Sequence, residues 1–222
     1  MAGTIRLVVF DANGVLHDNA ARNEYLSTKT GELFASHNLH PDSSIEEKFW
    51  PGISSKASRG EITVHEADSE LFAALGIPLE LLDDYERIDE ESFGYVKLTD
   101  PDLRDRLIEL KEAGIRLAVL SNTMYGSSAK SELLDLIGLS GIFDGIFASN
   151  EIGHMKPERE AYEAALHHFG CSAAEAVFVG HGKEELDGAK AAGMHTVSYK
   201  GYAAVDFLAK NFGEIVEYVK GL

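Results

Sequence analysis

The sequence predicts an α/β fold: a doubly wound parallel-sheet core with an inserted α-helical cap subdomain. Three observations support this prediction. Five short runs rich in β-branched residues are mostly apolar rather than alternating, as expected for strands that a parallel sheet buries on both faces. Helical patterns separate the later runs, and a long stretch with helical patterns alone follows the first run. The five runs are IRLVVF (5–10), IRLAVL (115–120), IFDGIFAS (142–149), AVFVG (176–180) and HTVSY (195–199).

Three helices of the core are predicted from their start and stop residues. The segment DPDLRDRLIELKEAG has Asp100 as its N-cap, Pro101 at the first helical position and Gly114 as its stop. The segment KPEREAYEAALHHFG begins in the same way at Pro157 and ends at Gly170, with its apolar residues on one face. The segment KEELDGAKAAG forms a third helix before the last strand. Strands and helices that alternate in this way are typical of a doubly wound core.

Residues 17–95 are predicted to form the cap. A crossover between parallel strands needs only about a dozen residues, so this stretch is too long to be a simple connection. It contains no convincing strand, but helical patterns cover 64–76 and 78–96, and WPGISSKASRGE (50–61) is its one loop-like stretch. The predicted division is residues 1–16 and 96–222 for the core and 17–95 for the cap.

The composition narrows the possible partners. The 222-residue chain carries 20 Lys and Arg against 37 Asp and Glu, a formal net charge of −17. No basic stretch interrupts that acidic background, so nucleic acid and membrane are not predicted as partners. No apolar run approaches about 18 residues, and the N-terminal MAGTIR lacks the pattern of a secretory leader. With Cys171 as the lone cysteine, no internal disulfide is possible, and the chain is predicted to be cytoplasmic.

Chemically useful side chains follow four of the predicted strands. In an open parallel sheet, the carboxyl ends of the strands meet at one edge, where ligands bind. A carboxylate, a hydroxyl, an ammonium and a cluster of titratable groups therefore converge there. Singly, each has an ordinary explanation as a turn, a helix cap or a surface charge. The residues are Asp11 and Asn13 after the first strand, Ser121 and Asn122 after the second, Lys156 after the third, and His181 to Glu185 after the fourth.

The order and placement of these residues resemble the motifs of the haloacid-dehalogenase-like (HAD) superfamily of hydrolases. The resemblance covers essentially the whole chain and rests on FDANGVL, VLSNT, IGHMKPEREAYEAAL and VFVGHGKEELDGAKAAGM, in that order. It implies a Rossmann-like core and, because the helical insertion directly follows the first motif, a C1-type cap. The segment RGEIT (59–63) resembles one that is common in such caps.

The resemblance also implies a role for each motif. Asp11 would be the nucleophile and would form a covalent aspartyl intermediate that water later hydrolyses. A strand-end carboxylate near helix N-termini stays ionised and can make this attack. Ser121 would donate to a substrate oxygen with help from the backbone N–H of Asn122, and Gly14 would also bind the substrate. Lys156 would neutralise charge on the nucleophile and on the transferred group.

Two positions depart from the family pattern. Where the family's phosphatases have an acid that protonates the leaving oxygen, this chain has Asn13, whose amide cannot deliver a proton at neutral pH. Where they have an aspartate that binds Mg²⁺, this chain has His181, and imidazole is a poor ligand for that ion. The implied cofactor is still Mg²⁺, held by Asp11, the backbone carbonyl of Asn13 and Glu185, with His181 as a further candidate.

Three functions stay open. The first is a phosphatase-type hydrolase that acts on a small phosphorylated metabolite, with Asp11 as nucleophile and reduced acid–base help. The second is a metal-independent dehalogenase-like hydrolase, because a halide leaves without a proton. The third is a non-catalytic binding or regulatory module on the same scaffold, because two acid positions are replaced. In the first two cases the partner is a small molecule, and Arg22 and Arg59 are the cap cations that could recognise an anion on it.

Overall fold

Six parallel strands form the central sheet of the computed structural model, which describes residues 4–203 and 205–222. The strands of the chain are, in order, β1 (Leu7–Phe10), β2 (His17–Asp18), β3 (Lys97–Leu98), β4 (Arg116–Ser121), β5 (Gly145–Ala148), β6 (Ala176–Gly180), β7 (His195–Tyr199) and β8 (Phe207–Ala209). The sheet has the order β5-β4-β1-β6-β7-β8, and every neighbouring pair in it is parallel. The strand order therefore reverses at β1, which has β4 on one side and β6 on the other.

Ten helices accompany these strands in the described part of the chain. They are α1 (Ala20–Ser36), α2 (Ser43–Ser58), α3 (Val64–Leu75), α4 (Leu82–Ser92), α5 (Leu103–Glu112), α6 (Ser127–Leu136), α7 (Ser149–Ile152), α8 (Arg159–Phe169), α9 (Lys183–Ala191) and α10 (Phe212–Gly221). Short 3₁₀ turns cover Leu79–Leu81, Phe93–Tyr95 and Ala173–Glu175. None of the helices in residues 4–203 and 205–222 is both long enough and apolar enough to cross a membrane.

Helices cover both faces of the sheet, which confirms the prediction of a doubly wound α/β core. On one face, Phe10 of β1 lies in an apolar cluster with Leu107 of α5, and its ring stacks with that of Phe212 of α10 at 6.2 Å between centroids. On the other face, Val9 of β1 lies in a cluster with Tyr162 of α8. Burying each large apolar side chain contributes about 1.5–3 kcal/mol. Because both faces of β1 are buried, all four of its residues are apolar.

The five predicted strands are confirmed, two of them with their exact ends (176–180 and 195–199) and three with shifted ends. The predicted start of the third helix, at Lys183, is confirmed, but the starts of the other two were wrong. Helix α5 begins at Leu103 rather than at Pro101, because the Asp100 carboxylate accepts the backbone N–H two residues on (3.0 Å) and closes a turn before the helix. Helix α8 likewise begins at Arg159, two residues after Pro157. The structure also contains β8, which was not predicted because its three residues are too few to show a periodic pattern.

Four helices, α1 to α4, lie between β2 and β3 and are called here the helical segment. They have apolar contacts of their own, such as the cluster that contains Ile53 of α2 and Leu71 of α3. The prediction of a loop over 50–61 was wrong, because α2 continues through Pro51. Proline and glycine indicate a helix break in isolation, but burial of the apolar side of α2 against α3 outweighs them here.

The two-residue strands β2 and β3 lie where the chain enters and leaves the helical segment. His17 pairs with Leu98 and Asp18 pairs with Lys97 in an antiparallel ladder. The prediction that residues 17–95 contain no strand was therefore wrong at its first two residues, since so short a strand carries no periodic signal. The ladder holds the two chain crossings side by side. The division of the chain into core and cap stays a prediction.

An ion pair and a close backbone contact join the helical segment to the core. The Arg59 guanidinium, just after α2, donates two hydrogen bonds to the Glu158 carboxylate, with 3.1 Å between Nη1 and Oε2. These bonds lower the pKa of Glu158 to about 2. Arg59 is thus engaged within the protein rather than free to recognise a substrate anion. Gly60 follows with φ +70, and a Cβ there would lie 2.1 Å from the carbonyl oxygen of Asn150 in α7.

Replacing Gly60 by alanine is expected to lower the free energy of unfolding by more than the same change at Gly76. Alanine at either position has a strained, left-handed backbone that costs about 1–2 kcal/mol, since φ is +70 at Gly60 and +67 at Gly76. A Cβ at Gly60 also meets a backbone atom, whereas nothing lies within 4 Å of one at Gly76. Overpacking should add about 1–3 kcal/mol to the Gly60→Ala loss. Denaturant unfolding measures both, and equal losses would contradict the close contact.

Candidate active site

Asp11 lies at the centre of the site, at the C-terminal edge of the sheet. It directly follows β1, and its backbone N–H donates to the carbonyl of Val179 on β6 at 2.8 Å, which extends the parallel ladder one residue past the strand. The residue is only 7% exposed. Because the strand order reverses at β1, Asp11 stands in the crevice that open parallel sheets use for ligands.

Lys156 supplies positive charge beside Asp11. Its ammonium donates to Oδ1 of Asp11 and to Oε2 of Glu185, the latter at 3.0 Å, and the residue is 6% exposed. Burial alone would lower the pKa of Lys156, but the two carboxylates outweigh burial and raise that pKa above its ordinary value. The three side chains therefore form a buried, ionised cluster in which each charge has a partner.

The side chain of Asn122 holds the backbone of Lys156. Its Nδ2 donates to the Lys156 carbonyl and its Oδ1 accepts from the Lys156 N–H, both at 2.8 Å. Asn122 was predicted to bind substrate through its backbone; its side chain is a positioning group that ties the loop after β5 to the loop after β4. Ser121, the last residue of β4, is buried and makes no side-chain hydrogen bond with the residues described.

His181 and Glu185 complete the cluster from the loop and first turn after β6. The imidazole Nδ1 lies 3.2 Å from Oδ2 of Asp11 and 3.3 Å from Oε1 of Glu185. The backbone N–H groups of His181 and Gly182 donate to that same Oε1, each at 2.8 Å. The Asp11 carboxylate, and next that of Glu185, raise the pKa of His181 to about 10, so the ring is a cation at neutral pH. Although burial acts to raise it, the pKa of Glu185 is held below its ordinary value by His181 and Lys156.

Asn13 and Gly14 lie in the turn after β1. The backbone of Gly14 lies against the imidazole of His181. A Cβ at Gly14, where φ is +80, would lie 3.1 Å from Cε1 and Nε2 of the imidazole, so glycine lets the ring lie against the backbone. The Asn13 side chain is exposed and makes no hydrogen bond within the described residues, while its backbone bridges to His17. The predicted site residues whose side chains contact one another are Asp11, Lys156, His181 and Glu185.

Three of these side chains could hold a divalent cation. One ligand atom each from Asp11, His181 and Glu185 can be chosen so that all lie within 4.8 Å of one another. Carboxylate oxygens suit Mg²⁺, whereas an imidazole nitrogen suits a transition metal better. Nδ1 of His181 lies within ion-pair distance of both carboxylates, so the ring must lose its proton or turn away before an ion can share these oxygens. The donor set fits a divalent cation, with Asp11 and Glu185 as its main ligands.

Sequence reasoning missed Lys130, which lies near the cluster on α6. It is partly buried. Burial, as the largest effect, lowers the pKa of Lys130 to about 8; the charge of Asp11 opposes this shift, and those of Arg22 and Lys156 add to it. A lysine early in a helix after a strand is usually a solvated surface charge, so the sequence carries no signal that marks this one.

Arg22 and Tyr125 meet at the carboxylate of Asp89. Nη2 of Arg22 donates to Oδ1 of Asp89 at 2.5 Å, and the guanidinium lies 4.4 Å from the centroid of the Phe93 ring. The Tyr125 hydroxyl, from the loop after β4, donates to the other oxygen of Asp89. Arg22, predicted as a cap cation for substrate, is thus partly engaged in an ion pair, although its Nε is buried without a partner among the described residues.

His17 is buried as a neutral imidazole. Its Nδ1 lies 2.9 Å from Oδ1 of Asn19, and its Nε2 has no partner within the part of the chain described. Burial, and next the charge of Lys130, lower the pKa of His17 to about 4. At neutral pH this ring therefore adds no charge to the site.

Comparison with known proteins agrees with this geometry. A family model described as haloacid dehalogenase-like hydrolase matches residues 5–193. Phosphatase MT3486 of Mycobacterium tuberculosis (strain CDC 1551 / Oshkosh) is 30% identical over 199 residues, which cover 86% of this chain and 85% of that protein. Pyrophosphatase PpaX of Halalkalibacterium halodurans is 28% identical and covers 90% and 85%. The structure of L-2-haloacid dehalogenase from Xanthobacter autotrophicus with chloropropionic acid covalently bound matches with a TM-score of 0.71 at 20% identity, covering 99% of this chain and 100% of that one.

The chain belongs to the haloacid dehalogenase-like hydrolases, because the family model matches most of its length. The family resemblance drawn from the four motifs and the prediction of a hydrolase are both confirmed. At 20% identity, the likeness to the dehalogenase structure establishes the fold alone.

His17 should make the protein less stable in acid. Its pKa is about 4 when folded against an ordinary 6.5, so the unfolded chain binds the extra proton between these values. This contribution to stability is complete above pH 6.5 and is lost as the pH falls towards 4, up to about 3 kcal/mol.

Unfolding free energies of wild type and His17→Gln, measured from pH 7 to pH 4, should converge as the pH falls. The difference between the two curves removes the opposite effect of Asp68, whose pKa burial raises to about 7. Parallel curves would contradict the prediction.

Proposed function

We propose that this protein is a phosphatase-type hydrolase that acts on a small phosphorylated metabolite through an aspartyl intermediate on Asp11. The observation that carries the proposal is the buried Asp11 carboxylate, held at the end of β1 between the Lys156 ammonium and the His181 imidazolium. A carboxylate paired with two cations and nearly free of water at this edge is a positioned nucleophile. Two relatives that align over most of the chain carry phosphatase names, which supports a phosphate ester as the substrate.

The proposed reaction has two displacements at phosphorus. In the first, an oxygen of Asp11 forms a bond to phosphorus, and the bond to the ester oxygen breaks with its electron pair. In the second, a water oxygen forms a bond to phosphorus and the bond between phosphorus and the Asp11 oxygen breaks. The carboxylate is restored, and inorganic phosphate leaves with the two protons of the water. Ser121 and the backbone N–H of Asn122 donate to the phosphoryl oxygens, with Gly14 close to the same group. Lys156 offsets negative charge in both displacements.

Proton supply to the leaving group is the weak part of this mechanism. Asn13 stands two residues after Asp11, and its amide cannot protonate an oxygen at neutral pH. Without a positioned acid the rate falls by about 10²–10⁴. Esters whose leaving groups are stable as anions, such as aryl phosphates, should therefore be hydrolysed better than alkyl phosphates.

Mg²⁺ is the proposed cofactor. Asp11 and Glu185 would hold it, with the backbone carbonyl of Asn13 as a further oxygen ligand and His181 as a nitrogen ligand after loss of its proton. Bound there, the ion would neutralise charge on the transferred group. Because His181 competes for the same carboxylate oxygens, we expect weak Mg²⁺ binding.

The helical segment is proposed to act as a C1-type cap over this site. In that division residues 17–95 form the cap, and residues 1–16 and 96–222 form the catalytic core. Support for this division comes from the β2–β3 ladder at the two chain crossings and from the Arg59–Glu158 ion pair. We further propose that the protein works in the cytoplasm.

A metal-independent dehalogenase-like hydrolase is the second candidate. The contact between His181 and Asp11 favours it, because the imidazolium supplies a cation beside the nucleophile without a metal ion. A halide also leaves without a proton, so Asn13 would not slow that reaction. The replaced acid positions also leave open the third alternative, a non-catalytic binding module.

Substitution of the nucleophile tests the proposed reaction. Wild type is expected to release phosphate from an aryl phosphate, more so with Mg²⁺, and Asp11→Asn should fall to the rate without enzyme because no aspartyl phosphate can form. The exposed Asp135→Asn on α6 is the matched control and should keep wild-type activity. Phosphate release is measured with the aryl phosphate, and halide release is measured in parallel with a 2-haloacid. Halide release without metal would favour the dehalogenase, and no turnover of either substrate would favour the binding module.

Restoring the acid tests the role of Asn13. Asn13→Asp should raise kcat for an alkyl phosphate by up to about 10²–10⁴, because the new carboxyl can protonate the leaving oxygen. The rate for an aryl phosphate should rise much less, since that leaving group needs little protonation. Steady-state kinetics with both esters measure the difference. An equal rise for both, or no rise for either, would show that proton supply is not the limiting step.

A further inference from the structure

A cavity of about 580 Å³ lies between the helical segment and α6. Its walls are mostly apolar and include one lysine: Phe93, Tyr125, Ala129, Lys130, Leu133 and Leu136. Tyr125 belongs to the loop that begins at the end of β4, four residues after Ser121. Ligand cavities commonly measure about 300–1,000 Å³, so this one has room for a small molecule.

Lys130 is the one cation among the described residues that line this cavity. It lines the cavity, and Asp11, Arg22 and Lys156 are the charged groups that act on it. It forms no ion pair and no side-chain hydrogen bond with any residue in the described part of the chain. Its pKa of about 8, lowered first by burial, leaves most of the side chains protonated at pH 7. A partly buried ammonium without a partner costs free energy that a bound anion would offset.

The carboxylates near the cavity do not supply that anion. Asp89 already accepts hydrogen bonds from an arginine and a tyrosine. Glu90 and Glu132 line the cavity but are exposed, so water screens them. Asp11 is paired on both oxygens, with Lys156 and His181.

Two other nitrogens close to Lys130 are buried without a partner among the described residues. They are Nε of Arg22 and Nε2 of His17. The charges of Lys130 and Arg22 both lower the pKa of His17, which places the three side chains in one neighbourhood. An ammonium and a guanidinium nitrogen that lack an acceptor, next to a cavity, form a site suited to a carboxylate or a phosphate.

We propose that this cavity binds the leaving-group part of the substrate and that Lys130 binds an anionic group on it. The inference rests on the proposed function, in which Asp11, Ser121 and Lys156 take the phosphoryl group. The substrate class is then a phosphate monoester whose alcohol part is largely apolar and carries a second anionic group, either a carboxylate or a phosphate. Lys130 selects the substrate and does not touch the reacting atoms.

Binding of unreactive phosphonates tests this subsite without turnover. Titration calorimetry at pH 7 compares alkyl phosphonates of two, three and four carbons with the same chains ending in a carboxylate or in a second phosphonate. At the length that fits, a doubly anionic ligand should bind about 10- to 100-fold tighter than the singly anionic one, as expected for a hydrogen bond between charged groups. The two doubly anionic series show which anion the subsite prefers.

Variants of Lys130 assign that preference to one side chain. Lys130→Met keeps the length but removes the charge, and should reduce the preference to less than about threefold without weakening the alkyl phosphonates. Lys130→Arg should keep most of it. Asp135→Asn changes an exposed carboxylate of the same helix that does not line the cavity, and should keep the full preference. Thermal unfolding verifies that each variant is folded.

Two results would overturn the subsite: equal affinity for singly and doubly anionic phosphonates at every length, or a preference that survives in Lys130→Met. Hydrolysis of an aryl phosphate by the same preparation separates this inference from the proposed function. Hydrolysis without any preference overturns the subsite alone. Absence of both hydrolysis and phosphonate binding overturns the two together.

Discussion

The buried ion pair between Lys156 and Asp11 is the interaction on which the rest of the site depends. An unpaired ion at this depth would cost several kcal/mol, so neither charge could remain there alone. The pair forms because two loops are tied together: the side chain of Asn122 holds the Lys156 backbone at 2.8 Å on both its N–H and its carbonyl. Glu185 then takes a second hydrogen bond from the ammonium, at 3.0 Å. The sheet order is what brings these loops to one edge, since β4 and β6 flank β1.

Charge balance explains why the two departures from the family pattern matter together. Asp11 and Glu185 carry two negative charges, and Lys156 and His181 carry two positive ones, so the cluster is neutral. The family resemblance places an aspartate where His181 stands and a metal ion beside it. Here the imidazolium supplies positive charge in place, and a cation must displace it from the carboxylates. Under the proposed mechanism, Asn13 lacks the proton that an acid at this position would supply, and His181 changes the charge beside the Asp11 carboxylate.

The sheet positions the cluster around Asp11, and the helical segment contributes one wall of a cavity lined on its other side by α6. Arg59 pairs with Glu158, Gly60 lies against the carbonyl of Asn150, and the Asp89 carboxylate accepts from a tyrosine of the core. The Tyr125–Asp89 hydrogen bond ties α4 to the loop before α6, beside the cavity that Lys130 lines. Under the proposed function, the cavity that selects a substrate therefore has walls from both the helical segment and the sheet-flanking helix α6.

The sequence by itself determined the parallel sheet and the residues at the strand ends. Apolar runs that do not alternate, and the residue types that directly follow them, are local patterns, so Asp11, Ser121, Lys156 and His181 could be found without coordinates. Local sequence patterns did not predict the features that depend on contacts between residues far apart in the chain. Burial against α3 carries α2 through Pro51, and the pairs Asn122–Lys156 and Arg59–Glu158 join residues 34 and 99 positions apart. The tertiary structure alone decided that Lys130 is partly buried beside a cavity, because burial depends on the surrounding elements and not on the residue's own sequence neighbours.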